Sequence, residues 1–180
     1  MLDHRDGVRH TARLRLEPIA TRHIDDVLRL HADPEVAQWL GPVRDREWFE
    51  ARLEQSAAAW VDGVDYWMAY DLATGALVGR GGLAAAEVEG EPVHELAWAL
   101  VRDAWGRGLA VELATAAADL AFDELGLDDV VAFTTPTNVR SRRVMERLGM
   151  TYVRDFVRAD LPHVLYALSP DTWRARRSGG

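Results

Sequence analysis

The residues with the clearest chemical potential in this chain are Trp105-Gly106-Arg107-Gly108-Leu109-Ala110. They follow an alternating, strand-like run and open an alanine-rich helical stretch. Glycine lets a backbone adopt positive φ and come close to a ligand. The start of a helix adds unpaired N–H groups and the positive end of the helix dipole. Together these features suit a phosphate or pyrophosphate; a turn that merely needs small residues is the plain structural alternative. Two familiar phosphate sites fit poorly. A dinucleotide fold puts its glycine turn after the first strand, with three glycines and an acidic residue about 20 positions on. Here the turn comes late, and Asp128 and Asp129 stand before the next strand rather than at its end. A nucleoside triphosphate loop needs lysine, and all 21 basic residues are arginine.

Composition narrows the chemistry further. The 180 residues include no cysteine, which excludes a disulfide framework, a thiolate zinc site and a cysteine nucleophile. Without lysine, Schiff-base catalysis is excluded as well. The formal charge of -8 argues against a general nucleic-acid binder and suits an amine substrate. No run approaches the length of about 18 apolar residues that a membrane span requires. Residues 1–10 are charged and do not read as a signal peptide, so the expected compartment is the cytoplasm.

The elements that must position the glycine turn alternate along the chain. Residues 11–16 read as a half-buried strand. Thr21 is placed to cap a helix carrying Ile24, Val27, Leu28 and His31, Asp33-Pro34 opens a short helical piece, and residues 44–60 are rich in helix formers. Residues 66–71 and 76–83 form an expected hairpin around Thr74-Gly75, and 93–101 is a clear strand. The expected helix over 107–125 stops at Gly126. A strand at 130–134, a helix from Asn138 to Leu148 and a closing hairpin at 152–157 and 164–168 complete the order. The fold class expected is α+β, a mixed α/β single domain over 11–170 with a six- to seven-stranded sheet flanked by helices and with flexible ends at 1–10 and 171–180.

Taken together, these segments resemble the acetyl-CoA-dependent N-acetyltransferase superfamily (GNAT), most closely its ribosomal-protein-alanine acetyltransferase-like (Rim-type) branch. The resemblance is carried by Arg13-Leu14-Arg15-Leu16-Glu17-Pro18-Ile19, by Asp33-Pro34-Glu35-Val36, and by the strand His94-Glu95-Leu96-Ala97-Trp98-Ala99-Leu100 with the glycine turn after it. Residues 138–150, from Asn138 to Met150, resemble the family's second motif. The resemblance implies that the pantetheine arm of acetyl-CoA lies along Trp98, Ala99 and Leu100. It implies that the CoA pyrophosphate meets backbone N–H groups of Arg107, Gly108, Leu109 and Ala110, with Asn138 and Arg143 as further cofactor contacts and no metal.

Acetylating an amine requires that it lose a proton, since a free α-amine has a pKa of about 7.7–8 and a lysine about 10.4. The thioester oxygen needs a donor, for which a strand N–H near Trp98 is placed, and the departing thiolate benefits from an acid. Glu95 lies on the small-residue face with Ala97 and Ala99, and the resemblance makes it the base; a salt-bridged surface carboxylate is the plain alternative. Ser141 shares a helical face with Val144, Met145 and Leu148 and is the expected acid, against a helix serine bonding a carbonyl one turn back. Many superfamily members carry tyrosine where Met145 stands, and Met145 donates no proton. Tyr152 and Tyr166 are placed near the acceptor or in the core, and His163 is a spare acid or base.

The expected reaction is direct attack in a ternary complex, because no cysteine is present to carry an acetyl group. The acceptor expected is a protein N-terminal α-amine, with a small amine such as an aminoglycoside as the alternative. A non-catalytic acyl-CoA-binding domain and a nicotinamide oxidoreductase are the competing classes. A homodimer is the assembly expected, with neither nucleic acid nor membrane as partner.

Overall fold

The computed structural model describes residues 7–42, 44–60 and 64–178. It is a mixed α/β fold with an eight-stranded sheet flanked by helices. The strands are β1 (Arg9–His10), β2 (Leu14–Pro18), β3 (Tyr66–Asp71), β4 (Leu77–Val88), β5 (Glu91–Leu100), β6 (Val130–Thr134), β7 (Thr151–Arg158) and β8 (Leu161–Leu168). Their hydrogen-bonded order is β1-β2-β3-β4-β5-β6-β8-β7. The helices are α1 (Ile24–Ala32), α2 (Pro34–Ala37), α3 (Arg46–Ala59), α4 (Leu109–Asp119), α5 (Val139–Leu148) and α6 (Pro170–Ser178). None of the described helices is long and apolar enough to cross a membrane.

Local chemistry explains most of these boundaries. The side chains of Asp33 and Asp45 accept from the backbone N–H groups of Glu35 and Trp48, capping α2 and α3. The β3–β4 turn is closed by Asp71, whose Oδ1 accepts from the N–H groups of Ala73 and Thr74. The β4–β5 and β7–β8 hairpins are tighter and longer than the sequence predicts. Their connections are the two-residue pairs Glu89-Gly90 and Ala159-Asp160, all at positive φ, the conformation that matches strand twist.

The chain divides into two compact units, and β4, β5 and α4 each contribute to both. The first comprises the residues up to Gly82 together with Trp98–Leu113. Its core joins Ile19, Val27, Phe49, Leu53, Met68, Tyr70 and Leu77, beside a smaller cluster of Leu30, Val36 and Ala99. The second comprises Leu83–Ala97 and Ala114–Gly180, with a core of Val88, Val131, Phe156 and Leu165.

Four expectations need correction. The sheet has eight strands rather than six or seven, because Arg9 and His10 pair with Leu16 and Arg15 as β1; of the rest of the expected loose end, residues 1–6 lie outside the described residues. Thr21 is not a cap: it begins a 3-10 turn capped by Ala20, whose N–H donates to His23 Nδ1. The helix predicted over 107–125 begins only at Leu109, and its α-helical hydrogen bonding ends at Asp119. A π-helical turn, Leu120–Glu124, follows, with Leu125 N–H donating five residues back to Leu120. Residues 171–178, expected to be loose, belong to α6. Trp173 is fully buried there and its indole N–H donates to Asp119, which also meets Arg177. Burying one indole removes a large apolar area from water, which offsets the cost of ordering a short terminal helix. Residues 179–180 are outside the described part.

Candidate active site

The glycine turn belongs to the first unit. Gly106 and Gly108 have φ of +74° and +77°, a left-handed conformation that costs other residues about 1–3 kcal/mol. A Cβ on Gly106 would meet nothing within 4 Å, so backbone conformation, not crowding, explains that glycine. The first hydrogen bond of α4 runs from Glu112 N–H to Gly108 O at 3.2 Å. The amides of Leu109, Ala110 and Val111 therefore stand in a first turn with no helical carbonyl to receive them. The side chain of Leu109 is fully buried, so only its amide can serve a ligand.

Side chains hold this turn from behind. Arg13 donates from Nη1 to the Arg107 carbonyl at 2.8 Å and from Nε to Glu112 at 2.7 Å. Glu112 also accepts from the Arg13 amide and from the Thr11 hydroxyl. Partial burial pushes the Glu112 carboxyl up, but the bonds from Thr11 and Arg13 outweigh it and hold the group below the usual range. The Arg107 guanidinium is drawn to Asp71 at 3.1 Å. Asp71 in turn is held low, first by the Thr74 amide and also by Arg107. The charge of Arg107 is thus spent within the protein, and what the turn offers an anion is backbone N–H. The sequence does not single out Arg13, Asp71 or Glu112 as tethers, since Arg13 and Glu112 lie 99 positions apart.

The expected cofactor strand is β5. The parallel ladder between β5 and β6 has one rung, Glu95 opposite Val131. Trp98 is half-buried, while Ala99 and Leu100 are buried. The indole of Trp105 donates to the Leu100 carbonyl at 2.9 Å, fixing the end of the strand to the start of the glycine turn. Glu95 is half-buried.

The second motif forms α5 in the second unit. Asn138 caps it, accepting from the Ser141 amide at 3.2 Å and donating to the Thr134 hydroxyl at 3.0 Å. Gly149 ends it in a left-handed conformation. Met145 and Leu148 are buried and Ser141 is half-buried on the same face. The back-bond to a carbonyl that would make Ser141 a purely structural serine is not formed, and its hydroxyl has no hydrogen bond among the described residues. Arg143 is exposed. Tyr166 is buried and its hydroxyl accepts from Arg142, so it belongs to the packing of this unit, whereas Tyr152 is exposed. His163 stacks against Phe156 and Phe133. Among the described residues no group of histidines and carboxylates is arranged to hold a metal ion.

Trp98, Ala99, Leu100, Arg107, Gly108, Leu109 and Ala110 thus fall in the first unit, and Glu95, Asn138, Ser141 and Arg143 in the second. Comparison with known proteins adds to this geometry. Residues 13–151 match the acetyltransferase (GNAT) domain family. The chain is 30% identical over 141 residues to the uncharacterised protein YkkB of Bacillus subtilis, covering 76% of this chain and 80% of that one. It is 30% identical over 182 residues to the FsC-acetyl coenzyme A-N(2)-transacetylase of Aspergillus fumigatus, covering 91% and 77%. The crystal structure of an acetyltransferase from Agrobacterium tumefaciens superposes with a TM-score of 0.76 at 28% identity, over 89% of this chain and 93% of that one.

Proposed function

Because the chain belongs to the GNAT acetyltransferase family and is an acyltransferase, we propose that it moves an acetyl group from acetyl-CoA to a primary amine by direct attack in a ternary complex. The acceptor class is a protein N-terminal α-amine, in keeping with the Rim-type pattern of Asp33-Pro34-Glu35-Val36, Trp105 and Ser141. The catalytic domain is assigned to residues 11–170. The observation that carries the reading is the bare first turn of α4, whose glycines and rear tethers leave backbone N–H groups to an anion.

Acetyl-CoA supplies the acetyl group as an activated thioester. The N–H groups of Arg107, Gly108, Leu109 and Ala110 hold its diphosphate, and Trp98, Ala99 and Leu100 line its arm, with Asn138 and Arg143 as further contacts. Glu95 accepts the ammonium proton, directly or through a water, so that the nitrogen lone pair is free for the carbonyl carbon. A backbone N–H near Trp98 donates to the carbonyl oxygen as charge grows there. As the new C–N bond forms and the C–S bond breaks, the Ser141 hydroxyl passes its proton to the departing sulfur and takes the second amine proton in its place, so that amide, thiol and protonated Glu95 result.

Thermal-shift titration with acetyl-CoA, CoA and NAD, followed by thiol release with a panel of amines, tests this. The expected result is a rise in melting temperature with both CoA species and none with NAD, and amine-dependent thiol release. Stabilisation without thiol release for any amine would instead identify a non-catalytic acyl-CoA-binding domain.

A further inference from the structure

Arg80 is a partly buried arginine of the first unit. It lies on β4 opposite Met68 of β3. Met68 packs with Val27 of α1 and with Phe49 and Leu53 of α3, so Arg80 sits on the face that these helices cover. It is only partly exposed, yet among the described residues no carboxylate stands within ion-pair distance of it. It lies instead over an aromatic face, with the guanidinium carbon 5.0 Å from the Tyr66 ring centroid. Arg13, Arg102 and Arg107 are about half exposed and each has a carboxylate partner. A cation withdrawn from water normally has a partner of its own; among the described residues Arg80 has no carboxylate, and unlike Arg29 and Arg44, which also lack one, it is not open to water.

A second polar group nearby is also unmatched. His31, on α1, packs against Phe49 with ring centroids 4.6 Å apart and the planes tilted, and its Nε2 is buried without a hydrogen-bond partner among the described residues. Burial first, and the charge of Arg80 second, push the imidazole down to about 4, so it is neutral and its ring nitrogens are available as one donor and one acceptor. The adjoining backbone fixes where these groups stand. A Cβ on Gly79 would clash with the Ala99 carbonyl oxygen, so β4 runs tight against the part of β5 proposed to line the thioester arm. Arg80 is the next residue.

We infer that Arg80, together with the Nε2 edge of His31, forms a subsite for an oxyanion carried by the amine acceptor. The inference rests on the acetyltransferase reading for the identity of the ligand on β5. A planar guanidinium matches a carboxylate through two parallel N–H bonds, and an acceptor bearing such a group next to its amine brings the missing counter-charge with it. A polycationic acceptor of the aminoglycoside kind would instead set ammonium groups against Arg80. Nothing in the sequence pattern assigned Arg80 a role. The available signal was a single charge inside the otherwise apolar and glycine-rich run 77–86.

The test uses three amines of one skeleton, ending in a carboxylate, a phosphate monoester or a neutral amide. The wild-type protein is expected to turn over the carboxylate at least about tenfold better than the amide in kcat/KM, through KM, because charge-assisted pairs of this kind are worth that much or more. In Arg80→Gln the ratio of carboxylate to amide falls to about one. Arg80→Lys, which keeps the charge and loses the fork, gives an intermediate ratio. Circular dichroism confirms that the variants fold. A phosphate preferred over the carboxylate, and lost in Arg80→Gln, supports the subsite and names phosphate as the source. An amide used as well as the carboxylate, or a preference that survives in Arg80→Gln, overturns the inference. Should no amine be acetylated while acetyl-CoA binds, the transferase reading fails separately. The subsite is then judged by tryptophan-fluorescence titration with the same three compounds, where equal affinity for all three overturns it.

Discussion

Two helices in this protein begin directly after a strand and a turn, and they solve the same problem in opposite ways. At α5 the first amides are answered from within, since Asn138 accepts from the Ser141 N–H and locks its own side chain to Thr134. At α4 no side chain does this among the described residues. Gly106 and Gly108 turn the backbone through left-handed conformations, Arg13 takes the Arg107 carbonyl, and Asp71 takes the Arg107 side chain. Carbonyl and cation are satisfied while the amides are left for something outside the chain. A capped start makes a stable helix, on which a side chain such as Ser141 can do chemistry. An uncapped start with glycines and rigid tethers makes an anion site.

The comparison can be broken or sharpened at several points. The largest effect belongs to the chemistry rather than to either helix start. Glu95→Gln is expected to lower kcat by about 10²–10⁴, while calorimetry shows acetyl-CoA affinity nearly intact. A kcat that stays flat across pH 6–9 and matches the wild type would retire Glu95 as base. At the uncapped start, Gly108→Val is expected to weaken CoA binding about 10- to 100-fold, because a β-branched residue resists φ of +77° at a cost of about 1–3 kcal/mol. Normal affinity in that variant would erase the distinction between the two starts. At the capped start, Asn138→Ala is expected to cost about 1 kcal/mol of stability, read as a lower Tm in chemical or thermal unfolding.

The smallest effect lies away from both helices. His31 has its pKa depressed from 6.5 to about 4 by burial and by Arg80. The unfolded chain therefore binds the proton more readily than the folded one. Stability from this group is full above pH 6.5 and is lost as the pH falls toward 4. Unfolding midpoints measured across that window should slope downward in the wild type and less so in His31→Gln.

Much of this arrangement was legible in the residues. The alternation of 93–101, the Gly-x-Gly before an alanine-rich run and the Asn138–Gly149 frame each specify local structure through φ, period or capping, and each is present. What could not be read depends on contacts between distant residues. Arg13 and Glu112 meet across 99 positions. Trp173 turns an expected loose end into a helix by reaching Asp119. Arg9 and His10 become a strand only because β2 offers an edge. Glu95 and Ser141 were singled out by family resemblance, since neither a lone glutamate on a strand nor a lone serine on a helix announces acid or base chemistry by its spacing. Arg80 went unread because the lack of a carboxylate beside it, among the described residues, is recognisable only once its neighbours are known.

The most direct measurement is a crystal structure of the protein with coenzyme A. The account predicts the diphosphate oxygens within about 3 Å of the backbone N–H groups at the start of α4, those of Leu109 and Ala110 above all. A diphosphate seated at the Asn138-capped start of α5, or anywhere else away from the glycine turn, would contradict it.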